Sequence, residues 1–401
     1  MKSVFIVAPN IGFSFSGGGG VKVALHMAQT LLEYGLKVHL VALAGWDAEK
    51  LSRIHGVNLA KFLREGKLVL NYVLGNRVDP KIPFPIAVKL ISAYIKRLVR
   101  KYLPDLIIFH DDAPRLDEGV FNNASKIILY SHFPYAARVL FNVVDPVEVG
   151  LERYRGYKTR LYYSALKRLI YFKEVPKDVE LIANSTVTKV FMEILWKRPV
   201  RVLHPPIALQ FKHLNKPRGN SIVLVGGQPN KRVGDAVKAL VELKETRRLV
   251  PRLYVVSHYF VPWYKDWLVS LIHKFGLHQY VHFMEHLPED RLLDLYVSAK
   301  VVLSTAHFEP FGMSVAEGML HRAVPIVYKS SLSGPWIDVI DKGKYGIGFK
   351  SVSELAEAID TVMRAREVEL VQLQDKAFMG ATRFSLNTFQ RGLIELVKDI
   401  L

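Results

Sequence analysis

Glu309-Pro310-Phe311-Gly312-Met313-Ser314-Val315-Ala316-Glu317 follows the short apolar run Val301 to Ser304 and leads into a helical pattern from about Gly312 to His321. A strand that ends in such a turn and feeds a helix is half of a β-α-β unit, the repeating element of a doubly wound parallel sheet. Pro310 suits a helix start, where a missing N–H costs nothing, and Gly312 lets backbone amides approach a ligand closely. The N–H groups and the helix dipole at that end favour a diphosphate. Glu309 stands before the helix and Glu317 more than a turn inside it, so the two carboxylates reach different parts of an extended ligand. As pure acceptors they suit sugar and ribose hydroxyls. The same pair also fits helix-start and surface charges with no ligand at all.

Outward from this stretch the same grammar repeats. Ser221 to Val225 reads as a strand, Gly226-Gly227-Gln228-Pro229-Asn230-Lys231 as a turn and Gly234 to Leu243 as a helix. A strand at Arg252 to Ser257, an amphipathic helix at Trp263 to Phe275 and a strand at Val324 to Tyr328 continue the alternation. The first half has its own series: an apolar run over residues 3 to 8, the glycines Gly17 to Gly20, a helical pattern from Val21 to Tyr34 ended by Gly35, and strand-like Lys37 to Leu43. Leu106 to Phe109, Lys126 to Tyr130 and Leu181 to Asn184 add further strands. His204-Pro205-Pro206 to Gly219, rich in Pro and Lys and without periodicity, marks a junction. The expectation is an α/β chain of two Rossmann-like, doubly wound domains, residues 1–203 and 204–385, facing a cleft suited to a nucleotide. A length of 401 residues and a hydrophobic half of the composition supply two cores.

Lys and Arg number 55 against 37 Asp and Glu, for a net charge of +18. Such an excess favours anionic partners: nucleic acid, an anionic membrane surface or phosphorylated substrates. The absence of cysteine excludes disulfides, thiolate metal sites and a thiol nucleophile, and fits a cytosolic protein. The first apolar run stops at Pro9, too short for a signal segment, and no run of about 18 apolar residues predicts a spanning helix. No His and carboxylate set has metal-ligand spacing, so no metal is expected. Asp111-Asp112 reads as a strand-end turn with helix capping.

Glu309-Pro310-Phe311-Gly312 followed by Glu317-Gly318-Met319, then Ala323-Val324-Pro325-Ile326-Val327, resembles the donor site of the retaining family 4 glycosyltransferases. The resemblance implies the GT-B fold, a nucleotide diphosphate sugar as donor and no required cofactor. It implies roles as well: Glu309 at the donor sugar, Phe311, Gly312 and Met313 at the phosphates, Glu317 at the ribose, and Pro310 among the donor-binding residues. Gly17-Gly18-Gly19-Gly20-Val21 is similar to the glycine-rich loop that faces the donor phosphates and acceptor in this family, and the likeness continues over some thirty residues. By themselves Gly18, Gly19 and Gly20 also suit a flexible strand-to-helix turn. The family supplies an Arg and a Lys in the turn after the strand Ser221 to Val225, to neutralise the departing nucleotide. Lys231 fits the Lys position; the turn is shortened, Gln228 stands near the expected Arg, and Arg232 or a Lys from elsewhere is the candidate substitute. A lysine in a turn is otherwise an ordinary surface residue.

Tyr130-Ser131-His132-Phe133-Pro134-Tyr135 resembles one branch, the mannosyltransferases that elongate dolichol-linked oligosaccharide on the cytosolic membrane face. Asn184-Ser185-Thr186, Leu195-Trp196-Lys197, His204-Pro205-Pro206 and Lys329-Ser330 through Gly334-Pro335-Trp336-Ile337-Asp338 resemble the same branch. Under this resemblance His132 and Glu309 position the sugar while Lys231 stabilises the leaving diphosphate. A lone histidine is also common as a packed, hydrogen-bonded structural residue. Arg383-Phe384-Ser385, Phe389 and the apolar helix to Leu401 resemble the family's final helix, so residues 386–401 are expected to cross back to the first domain.

Ile86 to Leu103 reads as an amphipathic helix carrying Lys89, Lys96, Arg97, Arg100 and Lys101, and a second basic, aromatic stretch runs from Arg153 to Arg168. Each fits a solvated helix face; together they fit an anionic membrane interface beside the acceptor. The resulting expectation is a retaining transferase that moves a hexose, mannose from GDP-mannose by resemblance, to a lipid-linked glycan, as a peripheral protein on the cytosolic face. A UDP-sugar enzyme with a soluble acceptor keeps the same fold. A nucleic-acid-binding protein answers the +18 charge, but no nucleic-acid motif is present, and phosphates and lipid account for that charge.

Overall fold

The computed structural model describes residues 1–9, 11, 18–75, 84–110, 126–134, 137, 175–207, 218–247 and 249–401. The chain divides into two units, each built on its own parallel sheet. In the first, β1 (Ser3–Val7), β2 (Lys37–Ala42), β3 (Leu68–Tyr72), β4 (Leu106–His110), β5 (Ile127–Ser131), β6 (Val179–Ala183) and β7 (Arg201–Val202) take the order β3-β2-β1-β4-β5-β6-β7. Val4 of β1 lies opposite Val38 on one side and Leu106 on the other. β4 and β5 are buried along their whole length. Helices cover both faces of a parallel sheet, which is why these strands read as unbroken apolar runs.

The helices of this unit include α1 (Gly19–Glu33), α2 (Ala48–His55), α3 (Ala60–Arg64), α4 (Phe84–Tyr102) and α5 (Thr186–Trp196). α1 begins two residues before its apolar periodicity, inside the glycines, because Gly18 already holds the extended backbone of an N-cap. Gly35, at φ +93, ends it in the left-handed region that favours glycine. α4 sends Ile91, Ile95, Leu98 and Val99 into a core with Phe5, Phe109 and Leu129, and each such side chain contributes about 1.5–3 kcal/mol by leaving water.

Two histidines of this unit carry a consequence for stability. His26 on α1 and His39 on β2 are buried, and burial, followed by the neighbouring Lys22 and Lys37 respectively, lowers each from 6.5 to about 4. Below pH 6.5 the unfolded chain therefore takes up protons that the folded chain refuses until about pH 4. The stability of neutral burial is complete above pH 6.5 and is lost on acidification at about 1.4 kcal/mol per pH unit per histidine. Urea midpoints should fall between pH 7 and pH 5; a midpoint constant over that range would contradict this account.

In the second unit β8 (Gly219–Val225), β9 (Arg252–Ser257), β10 (Val281–Glu285), β11 (Ala299–Ser304), β12 (Val324–Tyr328) and β13 (Ile347–Phe349) take the order β10-β9-β8-β11-β12-β13. Around them lie α6 (Val233–Thr246), α7 (Pro262–Lys274), α8 (Glu289–Ser298), α9 (Met313–Leu320), α10 (Val352–Arg364) and α11 (Glu367–Thr382). The last helix, α12 (Leu386–Ile400), belongs to the first unit and packs on α1, where Gln390 reaches the Glu33 carboxylate at 3.3 Å. In each sheet the strand order reverses once beside the first strand, between β1 and β4 and between β8 and β11. Crevices at the carboxyl ends of such strands are where open α/β sheets bind ligands.

Candidate functional site

Chemistry-bearing residues gather at both reversal points, one group in each unit. In the second unit the turn after β8 is shaped by close approach. Gly226 has φ +149, and a Cβ there would lie 2.3 Å from Cγ of Lys231. A Cβ on Gly227 would lie 2.5 Å from the carbonyl oxygen of Tyr259. Only glycines let the Lys231 stem lie across this turn. Pro229–Lys231 forms a single 3-10 turn, and the Thr305 hydroxyl, just past β11, donates to the Lys231 carbonyl at 2.6 Å. The Lys231 ammonium then forms an ion pair with the Glu309 carboxylate, the two side chains being 28% and 20% exposed. Both are thus held in place yet open to a ligand.

Glu309 owes its position to a second segment. Its N–H donates to the Leu332 carbonyl at 3.2 Å, its own carbonyl accepts from Gly334 N–H at 2.7 Å, and Glu309 pairs with Ser333 in an isolated parallel bridge. A Cβ on Gly334 would meet the Pro310 oxygen at 2.0 Å, and one on Gly312 would meet Pro335 Cγ at 2.5 Å. The stretches Glu309 to Gly312 and Ser330 to Pro335, read separately in the sequence, are one brace in space. Lys231, Thr305, Glu309, Gly312 and Ser314 line a common recess. A wider hollow lined by Gly219, Arg252 and Tyr280 sits at the amino ends of β8 and β9, away from the strand reversal.

Several expectations are refined. The helix starts at Met313, with Gly312 as N-cap at φ +94 and no side chain capping it. Pro310 therefore lies ahead of the helix in the brace, not in its first turn. Phe311 is buried and packs edge-on against Phe384 at 5.1 Å, so any part it has in a phosphate site comes from its backbone. Glu317 lies in α9 beside the buried Tyr296, whose phenol is pushed well up by burial and by that carboxylate. Gln228 is exposed ahead of the 3-10 turn, and Arg232 turns to Asp235, Nε to Oδ2 at 2.8 Å. An arginine fork occupied by its own helix is a poorer diphosphate clamp than the Lys231 ammonium. The sequence reading missed Thr305 and His307. His307 stacks on Tyr328 at 3.8 Å and has a pKa lowered by burial and then by Arg232. A hydroxyl or an imidazole at a strand end carries no pattern of its own.

In the first unit Gly18 caps α1 while Gly19 and Gly20 form its first turn, which lacks acidic residues and a side-chain cap. A Cβ on Gly20 would lie 3.5 Å from Nε2 of His132, so the helix start rests against that imidazole. His132 Nε2 is 3.1 Å from His110 Nε2 at the end of β4, and His132 Nδ1 is 3.3 Å from Asn184 Nδ2 beyond β6. Thr188 Oγ1 lies 2.8 Å from the His132 carbonyl. Both ring nitrogens of His132 thus have protein neighbours, and His110, fully buried, is the residue the sequence reading missed. On α4, Lys89, Arg97, Arg100 and Lys101 are exposed, Lys96 is half-buried, and Leu90, Tyr102 and Leu103 are exposed beside them. Gly17, Asp111-Asp112, Tyr135 and the basic stretch Arg153 to Arg168 lie outside the described residues. Among the described residues no helix is long and apolar enough to cross a membrane, and no group of three or more His, Asp or Glu gathers as for a metal ion.

Residues 208–376 match the family model described as Glycosyl transferases group 1. A GDP-Man:Man(3)GlcNAc(2)-PP-Dol alpha-1,2-mannosyltransferase from Dictyostelium discoideum is 22% identical over 306 residues, 69% of this chain and 60% of its own length. A protein of the same description from Homo sapiens is 24% identical over 299 residues, 68% of this chain and 60% of its own. The matches thus span 60% of the length of these curated relatives. Among solved structures, sucrose-phosphate synthase from Thermosynechococcus elongatus superposes with a TM-score of 0.72 at 15% identity, covering 100% of this chain and 99% of that one.

Proposed function

We propose that this chain, which has the GT-B fold and carries a glycosyl transferases group 1 domain over residues 208–376, is a retaining glycosyltransferase that takes a hexose from a nucleotide diphosphate sugar. One observation carries the reading: the Lys231–Glu309 pair beside the start of α9, at the strand reversal of the second sheet. A diphosphate at that helix start meets backbone N–H groups and the positive end of the dipole. The Lys231 ammonium has three donors, so it can keep one on Glu309 and offer the others to phosphate oxygens. As the nucleotide leaves, negative charge grows on its terminal phosphate, where these fixed donors act in differential support of the transition state. Glu309 accepts from sugar hydroxyls, and Glu317 on α9 is the candidate for the ribose. In the first unit the start of α1, with Gly18, Gly19 and Gly20, by itself offers backbone N–H groups and the positive end of a dipole to an anionic group. No metal or other cofactor enters this scheme, since Lys231 and the helix amides supply the positive charge.

For donor and acceptor we favour mannose from GDP-mannose and a lipid-linked glycan. The relatives described as GDP-Man:Man(3)GlcNAc(2)-PP-Dol alpha-1,2-mannosyltransferases support both, as do the motifs around His132 and Gly334. The exposed Lys89, Arg97, Arg100 and Lys101 on α4, with Leu90 and Tyr102 among them, suit a peripheral place on an anionic membrane surface, the cytosolic face in our reading. The test offers radiolabelled GDP-mannose, UDP-glucose and UDP-N-acetylglucosamine separately to membrane lipid extract and to free sugars. Label from GDP-mannose alone, moving into the organic phase, is the expected result. Transfer only from a UDP sugar to free sugar would replace the donor and acceptor while keeping the enzyme class, and no transfer from any donor would overturn the class.

A further inference from the structure

We infer that His110 is a positioning residue that, together with Asn184, holds His132 in one tautomer and, through it, seats the first turn of α1. The inference uses the glycosyltransferase reading only for its activity arm. Its ground is a chain of contacts in the first unit that runs in a single direction. Asn184 Nδ2, 3.3 Å from His132 Nδ1, is a donor, so that ring nitrogen accepts and the His132 proton stays on Nε2. His132 Nε2–H then points at His110 Nε2, 3.1 Å away, which must accept. His110 is left with its proton on Nδ1, where its own backbone offers a partner. Full burial keeps His110 neutral at ordinary pH, by holding its pKa well below the usual value. A neutral imidazole can give one proton and take one, so the order of the chain decides the state of both rings.

The surroundings hold this arrangement from each side. Tyr130 packs against both rings, at 5.6 Å from His110 and 5.4 Å from His132, and its hydroxyl is anchored on the Leu203 carbonyl. Ser185 Oγ donates to Thr188 Oγ1, whose single proton goes to Asn184 Oδ1 at 2.8 Å, and this turns the amide Nδ2 toward His132. The Nε2–Cδ2 edge of the His132 ring also meets Gly20, whose Cβ position lies 3.5 Å from Nε2. A rotated imidazole would press on the glycine turn whose amides face an anionic group in our reading, so His110 acts on that turn without touching substrate.

The experiment is nitrogen NMR of the full chain labelled with 15N-histidine, together with transfer kinetics for His110→Phe and His110→Gln. Phenylalanine fills the space without an acceptor; glutamine places an amide near the position of Nε2. In the wild type His132 should show one tautomer, protonated at Nε2. In His110→Phe the Nε2–H loses its acceptor and only the 3.3 Å contact with Asn184 is left to hold the ring, so the tautomers should mix and kcat should fall about 10-fold, the scale seen when an orienting partner is lost. In His110→Gln the single tautomer should return, with kcat recovering to within about threefold of wild type. A wild-type proton on Nδ1, or an unchanged tautomer in His110→Phe, overturns the inference whatever the kinetics. If the tautomers behave as expected while no sugar is transferred by any variant, the glycosyltransferase reading fails and the positioning role stands.

Discussion

Lys231→Met should lower kcat for glycosyl transfer by about 10²–10³-fold, the usual cost of losing one preorganised donor to developing negative charge. The geometry makes this the largest single effect. The stem of Lys231 lies over Gly226, its carbonyl is tied to Thr305 and its ammonium rests on Glu309, so the charge is delivered to one place at the head of α9. Methionine keeps the stem and loses the charge. Folding should change little, because an ion pair exposed to this degree contributes no more than about 1 kcal/mol. Glu309→Gln should also be severely impaired, and the double variant should fall short of the product of the two single losses, since each residue orients the other. Kinetics of the two single variants and the double, beside thermal melts, check all three statements. A Lys231→Met enzyme within threefold of wild type would remove the diphosphate clamp from the account.

The interior of both sheets was legible in the sequence, and their edges were not. β1, β4, β5, β8, β11 and β12 announce themselves as apolar runs because helices cover both of their faces. The strands that gave no readable signal, β3, β7, β10 and β13, are the four edges of the two sheets. Each is short or half-exposed, as in the two residues Arg201–Val202 and the three of Ile347–Phe349. At the site, Glu309, Lys231 and the glycines could be found because turns and helix starts constrain residue type. The bracing of Glu309 by Leu332 and Gly334 joins segments more than twenty residues apart, and no local pattern encodes such a contact. The same holds for His110, which reads as the polar end of an apolar strand until β5 brings His132 beside it.

Gly312→Ala should damage the second unit through both backbone strain and a steric clash, and three glycines separate the two reasons. Gly312 sits at φ +94, where an L side chain strains the backbone by about 1–3 kcal/mol. Its Cβ would also meet Pro335 Cγ at 2.5 Å, adding an overpacking cost of about 1–3 kcal/mol. Gly35 has nearly the same angle, φ +93, with nothing within 4 Å of its Cβ position, so Gly35→Ala carries the strain alone. Gly334 is ordinary in φ at −58, but its Cβ would lie 2.0 Å from the Pro310 oxygen, so Gly334→Ala carries the clash alone. In urea unfolding, Gly312→Ala should therefore lose about 2–6 kcal/mol, more than Gly35→Ala. The activities should divide differently. Gly312→Ala and Gly334→Ala both push the Glu309 loop away from its brace and should lower donor turnover, whereas Gly35→Ala should leave it intact. Equal stability losses at Gly312 and Gly35, or full activity in Gly334→Ala, would mean that the brace does not hold Glu309 in place.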